Sequence, residues 1–199
     1  MNDNLTEIIC IIDRSGSMNS VRQDAIGGFN AFVEQQAKEP GDTRITVVLF
    51  DGYYELLCDA VTLDTIRLSN ENYIPRGSTA LLDAIGRTID DVGKRLGATA
   101  ESDRPGQVIV AILTDGAENA SRKYSRSQVA SMIEHQKTKY SWEFVFLAAT
   151  QDAIVAAESL SIAADHAIAF ESTSSGTRRA FRAKSERIAR LRKAKRQNK

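Results

Sequence analysis

Two cysteines in 199 residues are too few for a disulfide framework, and both, Cys10 and Cys58, fall in expected strands. They read as reduced, buried thiols, neither bridged nor metal-bound; a strand lying between them would hold them roughly 10 Å apart, beyond disulfide reach. Three prolines and a hydrophobic content of 42% exclude a disordered or collagen-like chain and allow a real core. No run of 18 or more apolar residues occurs, so no transmembrane helix is expected. The opening Met-Asn-Asp-Asn-Leu-Thr-Glu has no basic segment leading into an apolar one, which argues against a secretory signal and for a cytoplasmic protein with no membrane contact. Histidine is scarce too: His135 and His166 have no nucleophile placed near them by motif and read as structural, as does Trp142 at a strand start. A Gly-x-Gly-x-x-Gly pattern is missing after the first strand, which removes dinucleotide binding.

Net charge is also missing, because 26 basic and 26 acidic side chains cancel. The cancellation hides an asymmetry. Residues 178–199 hold 11 Lys or Arg against the single acid Glu186, which leaves residues 1–177 at a net −10. An acidic body with a basic end bears directly on partners.

What is present is an alternation of strands and helices. Residues 6–12 read as a strand whose last five positions, 8–12, are an unbroken apolar run, four of them β-branched, as in a strand buried on both faces. A helix over 21–36 places Ile26, Phe29, Phe32 and Val33 on one face and stops at Pro40-Gly41. Strand 44–50 leads into Asp51-Gly52, a strong hairpin signal, and 53–58 returns antiparallel. A helix carrying Leu81, Leu82, Ile85, Ile89, Val92 and Leu96 precedes a polar loop (97–106) and a second unbroken apolar strand, 108–113. A helix over 127–137, a buried strand over 142–149, a short helix over 153–160 and a short strand over 166–170 complete the series. This order predicts an α/β, doubly wound and mostly parallel sheet with one antiparallel edge strand. Residues 1–171 form the expected domain; 172–199 are read as a linker and a basic C-terminal helix or arm.

Oxygen donors collect where strands end. Asp13, Ser15 and Ser17 follow the first strand, Thr79 follows Gly77-Ser78 at a helix start, and Asp115 follows the strand 108–113. Ligands in open α/β sheets bind at that edge. Two carboxylates and three hydroxyls are hard donors suited to Mg²⁺, with Mn²⁺ or Ca²⁺ as substitutes. Helix capping by Asp13 and Ser15 is the plainer alternative for the first triplet. If the two strands are neighbours, all five side chains converge.

Asp-Arg-Ser-Gly-Ser-Met, then Gly-Ser-Thr-Ala-Leu, then Leu-Thr-Asp-Gly, in that order over residues 5–171, resemble the von Willebrand factor type A (VWA) domains, of an intracellular bacterial or phage kind. The resemblance implies a complete metal-ion-dependent adhesion site, with Ser15, Ser17 and Thr79 coordinating Mg²⁺ and Asp13 and Asp115 acting through water or hydrogen bonds. It also implies sheet order 3-2-1-4-5-6 and an open metal position filled by a partner's Asp or Glu. The expected function is a non-enzymatic, Mg²⁺-dependent interaction or scaffold module for a cytoplasmic protein partner. Arg76, three residues before Thr79, either greets that partner or is a solvated loop charge.

Two rivals stand beside it. Asp13 at a strand end faintly resembles the nucleophile of Mg²⁺-dependent phosphohydrolases of the haloacid dehalogenase type. Ser15, however, occupies the position of their acid/base carboxylate, and a serine does not exchange protons near neutrality. The basic tail gives the second, contact with RNA, DNA or another polyanion. Phe181, Ile188 and Leu191 form a thin apolar stripe there, consistent instead with a helix docked on the domain, and intramolecular attraction to the acidic body is a third possibility.

Overall fold

The computed structural model describes residues 1–148, 153–171 and 173–197. The outer ends of three expected segments, Ala149, Ser172 and Lys199, lie outside them. Six strands form one sheet in the order β3-β2-β1-β4-β5-β6. They are β1 (Asn2–Asp13), β2 (Asp42–Phe50), β3 (Tyr54–Thr62), β4 (Pro105–Thr114), β5 (Glu143–Ala148) and β6 (Ala167–Ala169). All neighbours pair in parallel except β2 and β3.

Alternation along β1 explains the two-layered helix cover. Ile8, Cys10 and Ile12 enter one core with Phe29, Phe32 and Val33 of α1 (Arg22–Ala37) and Phe181 and Ile188 of α5 (Ser174–Gln197). Ile9 and Ile11 enter the opposite core with Ile85 and Ile89 of α2 (Leu81–Ala98) and Val129 and Ile133 of α3 (Arg126–Tyr140). The short α4 (Ala153–Glu158) contributes Ala157 to that second core. A strand covered on both faces must be apolar at every position, which is why residues 8–12 show no alternation of polarity.

Three sequence expectations shift. Phe50 pairs with Tyr54, so the hairpin has a three-residue loop, 51–53, rather than returning from Tyr53. The Asp51 carboxylate shapes that loop by accepting the Tyr53 N–H at 2.7 Å. The third helix begins before 127 because Ser125 and Gln128 form a reciprocal capping box. Cys58 is half-buried rather than buried, since β3 is the sheet's edge. It and Cys10 flank Val47 on β2, so a whole strand separates the two free thiols.

The basic C-terminal segment is helical over Ser174–Gln197. Positions 177, 180, 181, 184, 185, 188 and 192 are buried, a helix-spaced stripe against α1 and the sheet. Arg192 lies within it and donates to the Gln36 carbonyl (2.9 Å), Gln36 Oε1 (3.0 Å) and Thr43 Oγ1 (2.6 Å).

Candidate metal centre

The chain winds outward in opposite directions from β1 and β4, so the crevice between their C-terminal ends is the topological switch point. Ile12 is in register with Leu113, which sets Asp13 and Asp115 at adjacent strand ends. Asp13 is fully buried, Ser15 and Thr79 are nearly so, and Ser17 is exposed at the mouth.

Hydrogen bonds order the first loop. The Asp13 carboxylate accepts the Ser15 N–H on Oδ1 and the Thr114 hydroxyl on Oδ2, both at 2.6 Å. Ser17 Oγ lies 3.1 Å from Ser15 Oγ and donates to Asp115 Oδ1 at 2.6 Å. The Tyr73 hydroxyl donates to the Asp13 carbonyl at 2.6 Å, pinning the strand end. Burial pushes the Asp13 carboxyl up to about 6, against the hydrogen bonds from Thr114 and Ser15, and the Asp115 charge adds to the rise.

The second and third loops are tied together. Thr79 N–H donates to Asn119 Oδ1 (2.9 Å), while Asn119 and Ala120 N–H donate to the Thr79 carbonyl (3.1 and 3.2 Å). Glu118 accepts from the N–H groups of Leu82, Ala120 and Ser121, joining that loop to the start of α2. Gly116 sits where a Cβ would come within 3.2 Å of Thr79 Oγ1 and 3.7 Å of Ser17 Oγ, so the missing side chain leaves the donor cluster open. Ser15, Ser17 and Asp115 are thus directly linked, Asp13 holds the loop from beneath, and Thr79 approaches across Gly116.

Arginine stays out of this cluster. Arg14, despite its place between Asp13 and Ser15, turns its guanidinium to Asp51 (3.0 Å) and Glu55 (2.7 Å). Arg76 bonds the same Asp51 oxygen at 3.0 Å. Its exposed side chain is therefore an anchor for the 76–79 loop, a role between the two readings given above. Asp51, Tyr73, Glu118 and Asn119 were missed from the sequence; Asp51 was hidden by its turn chemistry, and the others carry no local pattern.

A divalent cation suits this set. The Asp115 charge adds to the raised proton affinity of the buried Asp13, hydroxyl oxygens complete the cluster, and a hard cation relieves that repulsion. Among the described residues no group of three or more His, Cys, Asp and Glu side chains is placed to hold a metal ion, so this candidate centre depends on its hydroxyl oxygens.

No protein-family profile and no curated protein sequence matches the chain. Solved structures do. Proximal thread matrix protein 1 of the mussel byssus, solved with zinc in its MIDAS motif, superposes with a TM-score of 0.66 at 14% identity, over 92% of this chain and 47% of that one. VWA2, the ArnB paralog of Sulfolobus acidocaldarius, gives 0.55 at 19% identity, over 87% and 42%. The fold is that of a VWA domain. Manganese-loaded TRAP of Plasmodium vivax shares this VWA fold, with a TM-score of 0.54 at 16% identity over 76% of this chain and 59% of its own. The chain thus spans about half the length of these proteins. Zinc occupies the MIDAS motif of the byssus protein, and the TRAP protein is manganese-loaded.

Proposed function

We propose that this VWA-fold chain is a non-enzymatic, Mg²⁺-dependent module that captures an Asp or Glu side chain of a cytoplasmic protein partner. Ser15, Ser17 and Thr79 hold the cation directly; Asp13 and Asp115 hold it through water or through hydrogen bonds to the coordinating groups. Mn²⁺ or Ca²⁺ can take its place. The observation that carries the reading is the convergence of five hard oxygen donors at the switch point, around a gap that Gly116 keeps open. Because hydroxyls contribute most of the donors, the bound cation retains positive charge and accepts an outside carboxylate.

The phosphohydrolase alternative is disfavoured by Ser15, whose backbone N–H binds Asp13 while its hydroxyl turns toward Ser17, leaving no acid/base carboxylate at that position.

Calorimetric titration of EDTA-treated protein with Mg²⁺ and Mn²⁺, in millimolar acetate, tests the metal. One saturable site is expected, weakened about tenfold or more in Asp13→Ala and in Thr79→Ala. Equal binding by wild type and both variants, or none with acetate present, would remove the metal reading. Turnover of p-nitrophenyl phosphate abolished by Asp13→Asn would restore the enzyme.

A further inference from the structure

We propose that the partner's captured carboxylate belongs to an acidic, extended segment, read along a groove that leaves the site past Thr79. The inference rests on the metal reading for its anchor and adds the chemistry of the neighbouring residues.

The groove, about 610 Å³, lies between the β2–β3 turn, the start of α2 and residues 120–124. Its inner end adjoins the site: Ser78 and Ala80, on either side of Thr79, line it, as does Ala120, whose N–H binds the Thr79 carbonyl. Farther out the walls carry Tyr53, Tyr54 and Tyr124 together with Arg87, Arg122 and Lys123.

These walls are held in place. Tyr124 lies on Gly86, where an added Cβ would fall 2.4 Å from the ring, and its hydroxyl donates to Asp90 at 2.7 Å. The Arg87 guanidinium stacks over Tyr54, 4.0 Å from the ring centroid. Asp83 is the one acid among the described lining residues, and its carboxylate is occupied by the backbone N–H groups of Arg122, Lys123 and Tyr124 at 2.8–2.9 Å. Those bonds fold the loop onto α2 and leave the exposed side chains of Arg122 and Lys123 at the rim. Neither makes an ion pair with a described residue, and the only ion pair of Arg87 among them is with the exposed Asp91.

A cationic, aromatic strip therefore adjoins an anion-accepting site, on a body whose residues 1–177 carry a net −10. Charge complementarity selects the occupant. In an extended peptide, alternate side chains face one wall and successive ones advance about 3.3 Å. Acids two and four residues from the captured carboxylate would meet Arg122, Lys123 and Arg87, with the tyrosines packing the chain between them.

The test is fluorescence anisotropy in saturating Mg²⁺ with two labelled Gly/Ser peptides of about nine residues. One carries a single Glu; the other carries that Glu followed by Asp and Glu at alternate positions. The second is expected to bind about five- to tenfold tighter, a gain lost in the double variant Arg122→Ser, Lys123→Ser and on raising salt toward about 0.5 M. Single-Glu binding stays unchanged in that variant, which keeps every backbone bond to Asp83. Equal affinity of the two peptides, or a gain that survives the double variant, overturns the groove while Mg²⁺-dependent capture stands. A gain that ignores EDTA and Asp13→Ala but vanishes in the double variant keeps the groove and removes the metal anchor. Failure of both peptides to bind overturns both ideas. An oligonucleotide that displaces the acidic peptide and is itself lost in the double variant assigns the surface to nucleic acid and overturns the peptide.

Discussion

Asp13 concentrates the conflict on which this site is built. A fully buried carboxylate beside a second one is an expense of the fold, tolerable because Thr114 and Ser15 hydrogen-bond it. With a pKa near 6 in the fold and an ordinary value of 3.8 in the unfolded chain, it binds more protons folded than unfolded between those values. Its contribution to stability therefore falls as pH rises from about 4 to 6 and is a full penalty above about 6. Asparagine keeps the shape without the charge, and the Thr114 hydroxyl can turn to the Gly116 carbonyl, 3.1 Å away, to accept the new amide. Metal-free Asp13→Asn is expected to exceed wild type by about 2 kcal/mol at pH 8, with the gap closing near pH 4. Urea midpoints across pH would check this, and a gap independent of pH would contradict it. Saturating Mg²⁺ should reverse the order, since only the carboxylate gains from the cation. The placement of the five oxygen-bearing residues at strand and helix ends was legible in the sequence, because each sits in a short motif after a strand or before a helix. Asp51 and Asn119 were not, because their bonds join loops far apart in the chain.

Helix α5 shows how a polar segment can be part of a core. Phe181, Ile188 and Leu191 were a legible stripe, but too thin to prove docking. The same stripe contains Thr177, Lys184, Ser185 and Arg192, all buried, and a hydropathy pattern cannot register them. Three of them have a local reason to be there, whereas the Thr177 hydroxyl is buried without a hydrogen-bond partner among the described residues. Lys184 Nζ lies 4.1 Å above the Phe32 ring and 4.7 Å from that of Phe181, so its charge meets aromatic faces in place of water. Ser185 accepts from the Gln36 amide, and Arg192 binds the last turn of α1, where a cation complements the helix dipole. Arg192→Ala is expected to lower stability by about 2–4 kcal/mol, read as a shifted urea midpoint at unchanged slope. A change under about 0.5 kcal/mol would reduce these bonds to surface contacts. Lys184 behaves oppositely. Burial lowers its pKa from 10.5, so between the lowered value and 10.5 the native state binds fewer protons than the unfolded chain, and the penalty fades as pH rises across that interval. Lys184→Met should thus stabilise the protein by about 1–2 kcal/mol at pH 7, and by less as the pH is raised.

For the whole molecule, the charge asymmetry legible in the sequence turns out to be spent largely within the chain. Arg178 meets Asp24 at 2.5 Å, Arg187 meets Asp165 at 3.4 Å and Arg196 meets Glu39 at 3.9 Å, so the basic helix lies against the acidic body. Arg182 pairs within α5 with Glu186, and Lys184 and Arg192 are buried. Sequence composition could count these charges but not say which face each occupies; that depends on how α5 is rotated against α1. Among the described residues of α5, only Arg190, Lys193 and Lys195 are exposed without an ion pair. Deleting the helix cannot test polyanion binding, because Phe181 and Ile188 would leave the core with it. The informative variant replaces those three with Gln and leaves the buried face intact. If the helix is chiefly a structural element, wild-type affinity for duplex DNA should fall with salt at a log–log slope no steeper than about −3, and the triple variant should lose it. A slope approaching −8 would mean that the intramolecular pairs open to a polyanion, and the tail would then have a binding role of its own.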